Sequence, residues 1–170
     1  MHLTKRLVAT GVMLLTCAGV AVAATSSPSG QYSGDVHWNN PGAGKQTFTV
    51  TATLKDGKLT DIKGEGNPGF VPYNPKKSNA TSGCGDANNY EASDKARYSG
   101  HVTQKGLFTF VVKDTYHTKV TLEGHFVSGT EAHAKFRFYQ GHLPYYHNGQ
   151  FSRTGHCDSG FLRLVLKKSS

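Results

Sequence analysis

Alternation of hydrophobic and polar residues dominates the chain beyond its first 30 positions. The clearest run covers residues 46–54, where Phe48, Val50, Ala52 and Leu54 alternate with polar side chains. An alternation with a period of two predicts a β-strand that buries one face and exposes the other. This segment is therefore predicted to be a strand with one face packed on a hydrophobic core.

Further runs with strand character follow, separated by residues typical of turns. Asp56-Gly57 is a hairpin turn signal directly after the first clear strand. No stretch of useful length beyond the N-terminal region has helical periodicity. The pattern predicts an all-β fold, an antiparallel sandwich or barrel of about eight strands, with the further strands at 32–38, 59–63, 96–102, 107–113, 120–127, 131–139 and 160–167.

The first 23 residues have the composition of a cleavable signal peptide. Lys5 and Arg6 precede an apolar stretch that ends in Ala21-Val22-Ala23, the small-x-small pattern of a cleavage site. We place the cut after Ala23 and predict a secreted, periplasmic or cell-envelope protein. No later segment has the length of a membrane span.

Cleavage would leave a flexible leader over residues 24–30 and a single all-β domain over 31–170. Loss of the two basic signal residues lowers the formal charge from +8 to +6. An excess of positive charge favours anionic partners, or simply keeps an exported domain in solution. It forms no long basic run, so there is no specific nucleic-acid signal.

Three cysteines are present, and Cys17 lies within the predicted signal peptide. A lipid anchor on Cys17 is the alternative, but Thr16 precedes it where lipoprotein signals usually carry a smaller residue. Cys84 and Cys157 remain, an even pair in an oxidising compartment, and are predicted to form one disulfide. A site with two metal-bound thiolates is disfavoured because neither cysteine belongs to a C-x-x-C pair.

Several short motifs carry a resemblance to a known group of proteins. A stretch V-x-L-x-G-x-F-x-S-G-T-x-A-x-x-x-F-R covers residues 120–137, C-x-S-G covers 157–160, and Gly30-Gln31-Tyr32-Ser33-Gly34 begins the predicted domain. With these motifs the chain resembles small exported β-domain proteins of bacteria, especially actinobacteria, over residues 30–166. The resemblance carries no catalytic residue. His133-Ala134-Lys135 departs from the pattern and makes the hairpin more polar.

The register of the hairpin at residues 120–139 follows from its pattern. Only a three-residue turn over 128–130 keeps one face apolar, since a slip by one residue turns a strand's side chains to the other face. That register places His125 opposite His133 and Glu123 opposite Lys135. The polar face could therefore be a solvated surface whose charges pair across the strands.

Two other interpretations of this polar face involve chemistry. His125 and His133 could share a divalent metal, with Glu123 or Glu131 as a third ligand. Alternatively, the histidines and Glu123 could act as acid and base beside Arg137, the arrangement of a small secreted ribonuclease. No other cofactor is predicted, and no common catalytic motif occurs in the chain.

Two long segments without strand periodicity, 64–95 and 140–157, each contain one of the paired cysteines. Loops held on a rigid scaffold often carry binding sites. We therefore expect a non-catalytic exported domain that binds a glycan, an envelope polymer or a protein through these loops. A purely structural envelope component is a further alternative. The candidate binding residues are Trp38, Tyr73, Tyr90, Tyr145, Tyr146 and His147.

Overall fold

The computed structural model describes residues 27–40, 44–67, 71–79, 84, 89–115, 117–148 and 150–170. The predicted signal peptide, with Cys17, and residues 24–26 of the leader lie outside these ranges. Within them the chain contains ten β-strands and no helix, and hence no helix with the length and hydropathy to cross a membrane. The strands are β1 (Gly30–Asn40), β2 (Gly44–Lys55), β3 (Lys58–Asn67), β4 (Asn89–Glu91), β5 (Arg97–Ser99), β6 (Leu107–Lys113), β7 (Thr118–Phe126), β8 (Glu131–His147), β9 (Gln150–Asp158) and β10 (Leu162–Lys168).

All ten strands belong to one antiparallel sheet, which curls into a half-barrel. The strand order is β4-β3-β2-β1-β10-β8-β7-β6-β5, and β9 pairs with the second half of β8. Two meanders, β1 to β4 and β5 to β8, are thus joined through β10. The curl brings β3 near β5.

The core fills the inner face of the curled sheet, because alternate residues of the long strands point inward. Phe48 of β2 and Phe136 of β8 meet there with ring centroids 5.7 Å apart. Gly64 of β3 leaves room for the Phe48 ring, which a Cβ at that position would strike. The largest buried side chains are Tyr32, Phe48, Phe110, Phe136, Ile62, Leu122, Val36, Val50, Val112, Val120 and Pro72.

The predicted all-β antiparallel class is confirmed, with ten strands in place of about eight. β6 has the predicted bounds, and Asp56 and Gly57 both adopt positive φ, as a tight hairpin turn requires. The strand predicted over 96–102 is shorter. β5 ends at Ser99 because Gly100 turns to φ +101° and packs on the Thr109 carbonyl.

The expected loop over 140–157 is mostly strand. β8 continues to His147, and β9 returns from Gln150, so this segment is a two-stranded ribbon. Asn148 has φ +50° at its turn. The sequence Asn148-Gly149 is a usual two-residue hairpin signal. The many glycines and tyrosines around it are typical of a loop, and the sequence pattern therefore predicts a loop there.

The first and last strands, β1 and β10, pair within the sheet and join its two meanders, and we call this pairing the seam. Tyr32 of β1 pairs with Lys168 of β10. The buried Tyr32 hydroxyl donates to the Gly129 carbonyl in the β7–β8 turn at 2.9 Å, and burial raises the pKa of this phenol. Gly34 lies against the Val165 carbonyl, where any Cβ would collide. The G-Q-Y-S-G and S-G-T motifs therefore meet at this seam.

Candidate functional site

The disulfide between Cys84 and Cys157 is confirmed and ties the segment after β3 to β9. Residues 71–79 lie along the outer edge of β9. Asn79 and His156 exchange two hydrogen bonds, from the Asn79 N–H to the His156 carbonyl at 2.9 Å and from the His156 N–H to Asn79 Oδ1 at 2.8 Å. The Asn74 N–H donates to the Asp158 carbonyl at 2.7 Å. The two long segments therefore meet, as their cysteines predict.

Asp158, beside the disulfide, is a buried carboxylate that forms an ion pair with Arg137. Its side chain is 7% exposed and accepts hydrogen bonds from Arg137 Nε at 2.9 Å and Nη2 at 2.6 Å. The Gly160 N–H donates to the same carboxylate at 2.8 Å. Burial would raise the pKa of Asp158, but these hydrogen bonds and the charges of Arg137 and Lys77 outweigh it and lower the pKa.

The rest of the C-x-S-G motif also has a structural task, since it interrupts the strand between β9 and β10. Both strands lie on the same edge of β8, end to end. Ser159 fills the break because its Oγ accepts from the Phe138 N–H at 2.8 Å, and its own N–H donates to the Phe138 carbonyl at 2.9 Å. Gly160 turns the chain with φ +65°. The motif therefore builds a strand junction.

The aromatic residues predicted to bind ligand lie in different places. Trp38 and Tyr90 are each only 8% exposed. Trp38 packs edge-on against Tyr73 with ring centroids 5.4 Å apart, and Tyr90 packs against Phe138 at 5.7 Å. The side chains of Tyr145, Tyr146 and His147 lie outside the described part of the chain, although their backbone belongs to β8. Their role in binding stays a prediction.

The predicted register of the β7–β8 hairpin is confirmed. His125 lies opposite His133, with ring centroids 5.6 Å apart and planes at 67°. The Lys135 ammonium lies 3.6 Å from Glu123 Oε1, as expected for a cross-strand ion pair. Glu131 lies beside His133, and its Oε1 is 3.4 Å from Nε2 of the imidazole.

This geometry bears on the metal and hydrolase interpretations. Across the residues that the structure describes, no three His, Cys, Asp or Glu side chains are grouped to hold a metal ion. Metal binding by His125 and His133 stays a prediction. The ribonuclease-like arrangement needs a cation for phosphate, and the Arg137 guanidinium is already bound by Asp158 on two nitrogens.

A cleft of about 1180 Å³ runs across the outer face of the sheet, over β6, β7, β8, β10 and β1. The predicted polar face of the hairpin forms its centre. We call it the outer-face cleft. Its side chains that point away from the core are Asp35, His37, Leu107, Thr109, Glu123, His125, His133, Lys135, Arg163 and Val165, with His101 and Thr103 at one end.

Cross-strand pairing explains how these side chains come together. Leu107 lies opposite His125, His133 lies opposite Val165, and Lys135 lies opposite Arg163. Residues opposite each other on one face stand about 5 Å apart at Cβ, so the four strands present a continuous surface. The cleft therefore rests on strands of a hydrogen-bonded sheet.

The hairpin part of the cleft is predicted by the sequence pattern, but its flanks are not. Leu107, Arg163 and Val165 belong to strands that were predicted, but their position beside the hairpin depends on which strands are neighbours. The pairing of β10 with β8 joins elements separated by β9, and no local signal in the sequence indicates it.

Comparisons with protein-family models, with curated proteins and with solved structures found no match.

Proposed function

We propose that this chain is an exported, non-catalytic binding domain and that its ligand lies in the outer-face cleft. One observation carries the proposal: a cleft of about 1180 Å³ that combines apolar, imidazole and charged side chains on a rigid floor. Pockets that mix apolar walls with a few directed polar groups are the usual form of small-molecule sites. Glycans, envelope polymers and smaller exported metabolites are the candidate ligands.

Binding is favoured over hydrolysis because the charged groups near the histidines already have partners. Glu123 pairs with Lys135, and Arg137 is held by Asp158. An acid–base mechanism needs such groups free to face a substrate. The His125–His133 pair then supplies flat rings and hydrogen-bonding nitrogens to a bound molecule.

The test is to fill the cleft and follow binding by two-dimensional amide NMR. Thr109→Trp places a large ring in the cleft, and Thr60→Trp adds the same ring at an exposed position of β3 outside it. The probes are chitotetraose, octyl glucoside and decanoate. We expect saturable shifts at His125, His133 and Val165 with at least one probe, abolished by Thr109→Trp only. Shifts that persist in Thr109→Trp, or the absence of any shift, would refute the cleft as the binding site.

Export is part of the proposal, and it rests on the predicted signal and the disulfide between Cys84 and Cys157. Mass spectrometry of the protein recovered outside the cytoplasm should find Ala24 at its N-terminus. A chain that retains residues 1–23 there, or one that accumulates inside the cell, would contradict it.

Metal binding at the hairpin is the second candidate, favoured by the 5.6 Å between the His125 and His133 rings. Metal analysis of the purified protein and of His125→Ala separates the two functions. Stoichiometric metal that disappears in the variant would support a metal protein. Ligand shifts that persist in the presence of a chelator would support the metal-free binding domain.

A further inference from the structure

The side chains of the outer-face cleft are sorted into two parallel rows, each crossing four strands. Pairing of β6 with β7, β7 with β8 and β8 with β10 fixes the order within each row. The first, which we call the apolar row, is Leu107–His125–His133–Val165. The second, the charged row, is Thr109–Glu123–Lys135–Arg163. Each row is about 14 Å long, since neighbouring strands lie about 4.8 Å apart.

The apolar row has an exposed aliphatic side chain at each end and two imidazoles between them. Leu107 is 53% exposed and Val165 is 42% exposed, and both belong to the small group of exposed large hydrophobic residues in the described chain. Exposed aliphatic groups at both ends of a strip across the cleft favour a ligand with a hydrocarbon segment. The His125 and His133 rings lie between these two side chains, in an edge-to-face arrangement with centroids 5.6 Å apart.

The charged row ends in a cation that has no partner among the described residues. Asp35, the other carboxylate of the cleft besides Glu123, accepts a hydrogen bond from Thr49 Oγ1 at 2.7 Å. Glu123 lies 3.6 Å from Lys135 and neutralises it. Arg163 lies directly opposite Lys135, and no described residue accepts a hydrogen bond from it or pairs with its charge. A guanidinium binds carboxylate, sulfate or phosphate oxygens through two parallel hydrogen bonds.

We propose, on the basis of the proposed function, that the ligand of the cleft is a single-chain amphiphile with one anionic head group. Its hydrocarbon segment lies along the apolar row, and its head group is bound by Arg163. The occupant is a soluble molecule and not a membrane surface, because the aliphatic side chains line a cleft in the sheet. Fatty-acid-like carboxylates fit this description.

The experiment measures dissociation constants by titration calorimetry below micelle-forming concentrations. The probes are decanoate, decyl maltoside as the neutral amphiphile, acetate as the anion without a chain, and phosphatidylglycerol vesicles. We expect one decanoate per chain, weaker binding of decyl maltoside, and no measurable binding of acetate or vesicles.

Matched variants locate the two ends of the ligand. Arg163→Gln should weaken decanoate binding about tenfold, while Arg97→Gln, an exposed arginine outside the cleft, leaves it unchanged. Val165→Ser should weaken it about threefold, while Val127→Ser, at a residue 50% exposed outside the cleft, has no effect. Urea unfolding of each variant checks that the fold is retained.

The outcomes separate this inference from the function on which it rests. Equal affinity for decyl maltoside and decanoate, with no effect of Arg163→Gln, would overturn the anionic head group and leave cleft binding intact. Acetate binding as tight as decanoate would overturn the hydrocarbon segment. Vesicle binding without decanoate binding would identify a membrane surface and overturn the soluble ligand. Failure of all four probes would overturn this inference alone if chitotetraose still shifts His125 and His133, and it would remove the proposed function as well if chitotetraose also fails to reach the cleft.

Discussion

The replacement Asp158→Asn tests the ion pair that joins β8 to the β9–β10 junction. The carboxylate accepts hydrogen bonds from two Arg137 nitrogens at 2.9 and 2.6 Å and from the Gly160 N–H at 2.8 Å, with 7% of the side chain exposed. Asparagine has the same size but no charge. One of its two terminal atoms becomes an N–H donor, which then faces a donor of Arg137 or Gly160.

The expected loss follows from these contacts. A hydrogen bond to a charged group contributes about 1.5–3 kcal/mol, and the loss is reduced because Arg137, with 38% of its side chain exposed, can be solvated. We expect Asp158→Asn to lower the free energy of unfolding by about 2 kcal/mol at pH 7. In a domain of this size the melting temperature should fall by about 6 °C.

The effect depends on pH in a defined direction. The pKa of Asp158 is lowered in the folded protein, because its hydrogen bonds and nearby cations outweigh the opposing effect of burial. Its contribution to stability is therefore complete above the unfolded pKa, about 3.9, and is lost as the pH falls through the folded pKa. The difference between wild type and Asp158→Asn should be largest near neutrality and shrink below about pH 4.

Urea unfolding at several pH values measures the free energy of unfolding and its dependence on pH. It is followed by circular dichroism and by the fluorescence of the single tryptophan, Trp38. Asp94→Asn is the control, since this exposed aspartate has no ion pair among the described residues, and we expect a change below about 0.5 kcal/mol. A loss that small for Asp158→Asn, or a difference that stays constant on acidification, would refute the argument.

Three further predictions concern the core, the seam and the disulfide. Tyr32→Phe should lower the free energy of unfolding by about 1 kcal/mol, because it removes a hydroxyl that donates a hydrogen bond. Tyr90→Phe should leave the free energy of unfolding unchanged or raise it, since the buried Tyr90 hydroxyl has no partner among the described residues. The urea midpoints of the two variants compare these effects, and equal losses would contradict the prediction. Gly34→Ala should cost about 2 kcal/mol or more through collision with the neighbouring strand, and an unchanged melting temperature would show that the seam adapts. Reduction of Cys84–Cys157, which closes a separation of 73 residues, should cost about 4 kcal/mol by thermal unfolding, and two free thiols in the native protein would contradict the bond.

Local patterns predicted most of the strands, because alternation and turn signals depend on neighbouring residues. The register of the β7–β8 hairpin could be predicted since only one turn length keeps Phe126 and Ala132 on the same face as the core. The disulfide followed from the two cysteines left after removal of the predicted signal. These inferences need no knowledge of which distant strands are paired.

The outer-face cleft could be predicted only in part, because it depends on long-range pairing. His125 and His133 were placed correctly, but Arg163 and Val165 reach them through the pairing of β10 with β8. The Asp158–Arg137 ion pair has the same cause, since the C-x-S-G motif shows its purpose only when β9 and β10 share one edge of β8.

The position of β10 has a consequence for the order of assembly. This strand, the last of the ten to be synthesised, is the bridge between the two meanders, and its pairing with β1 joins positions as far apart as Tyr32 and Lys168. Contacts between such distant positions form slowly, since a long loop must close first. The two meanders share one core, in which Phe48 meets Phe136, but the sheet that carries it is continuous only when β10 is in place. We therefore expect the sheet to become continuous only when the synthesis of the chain is nearly finished.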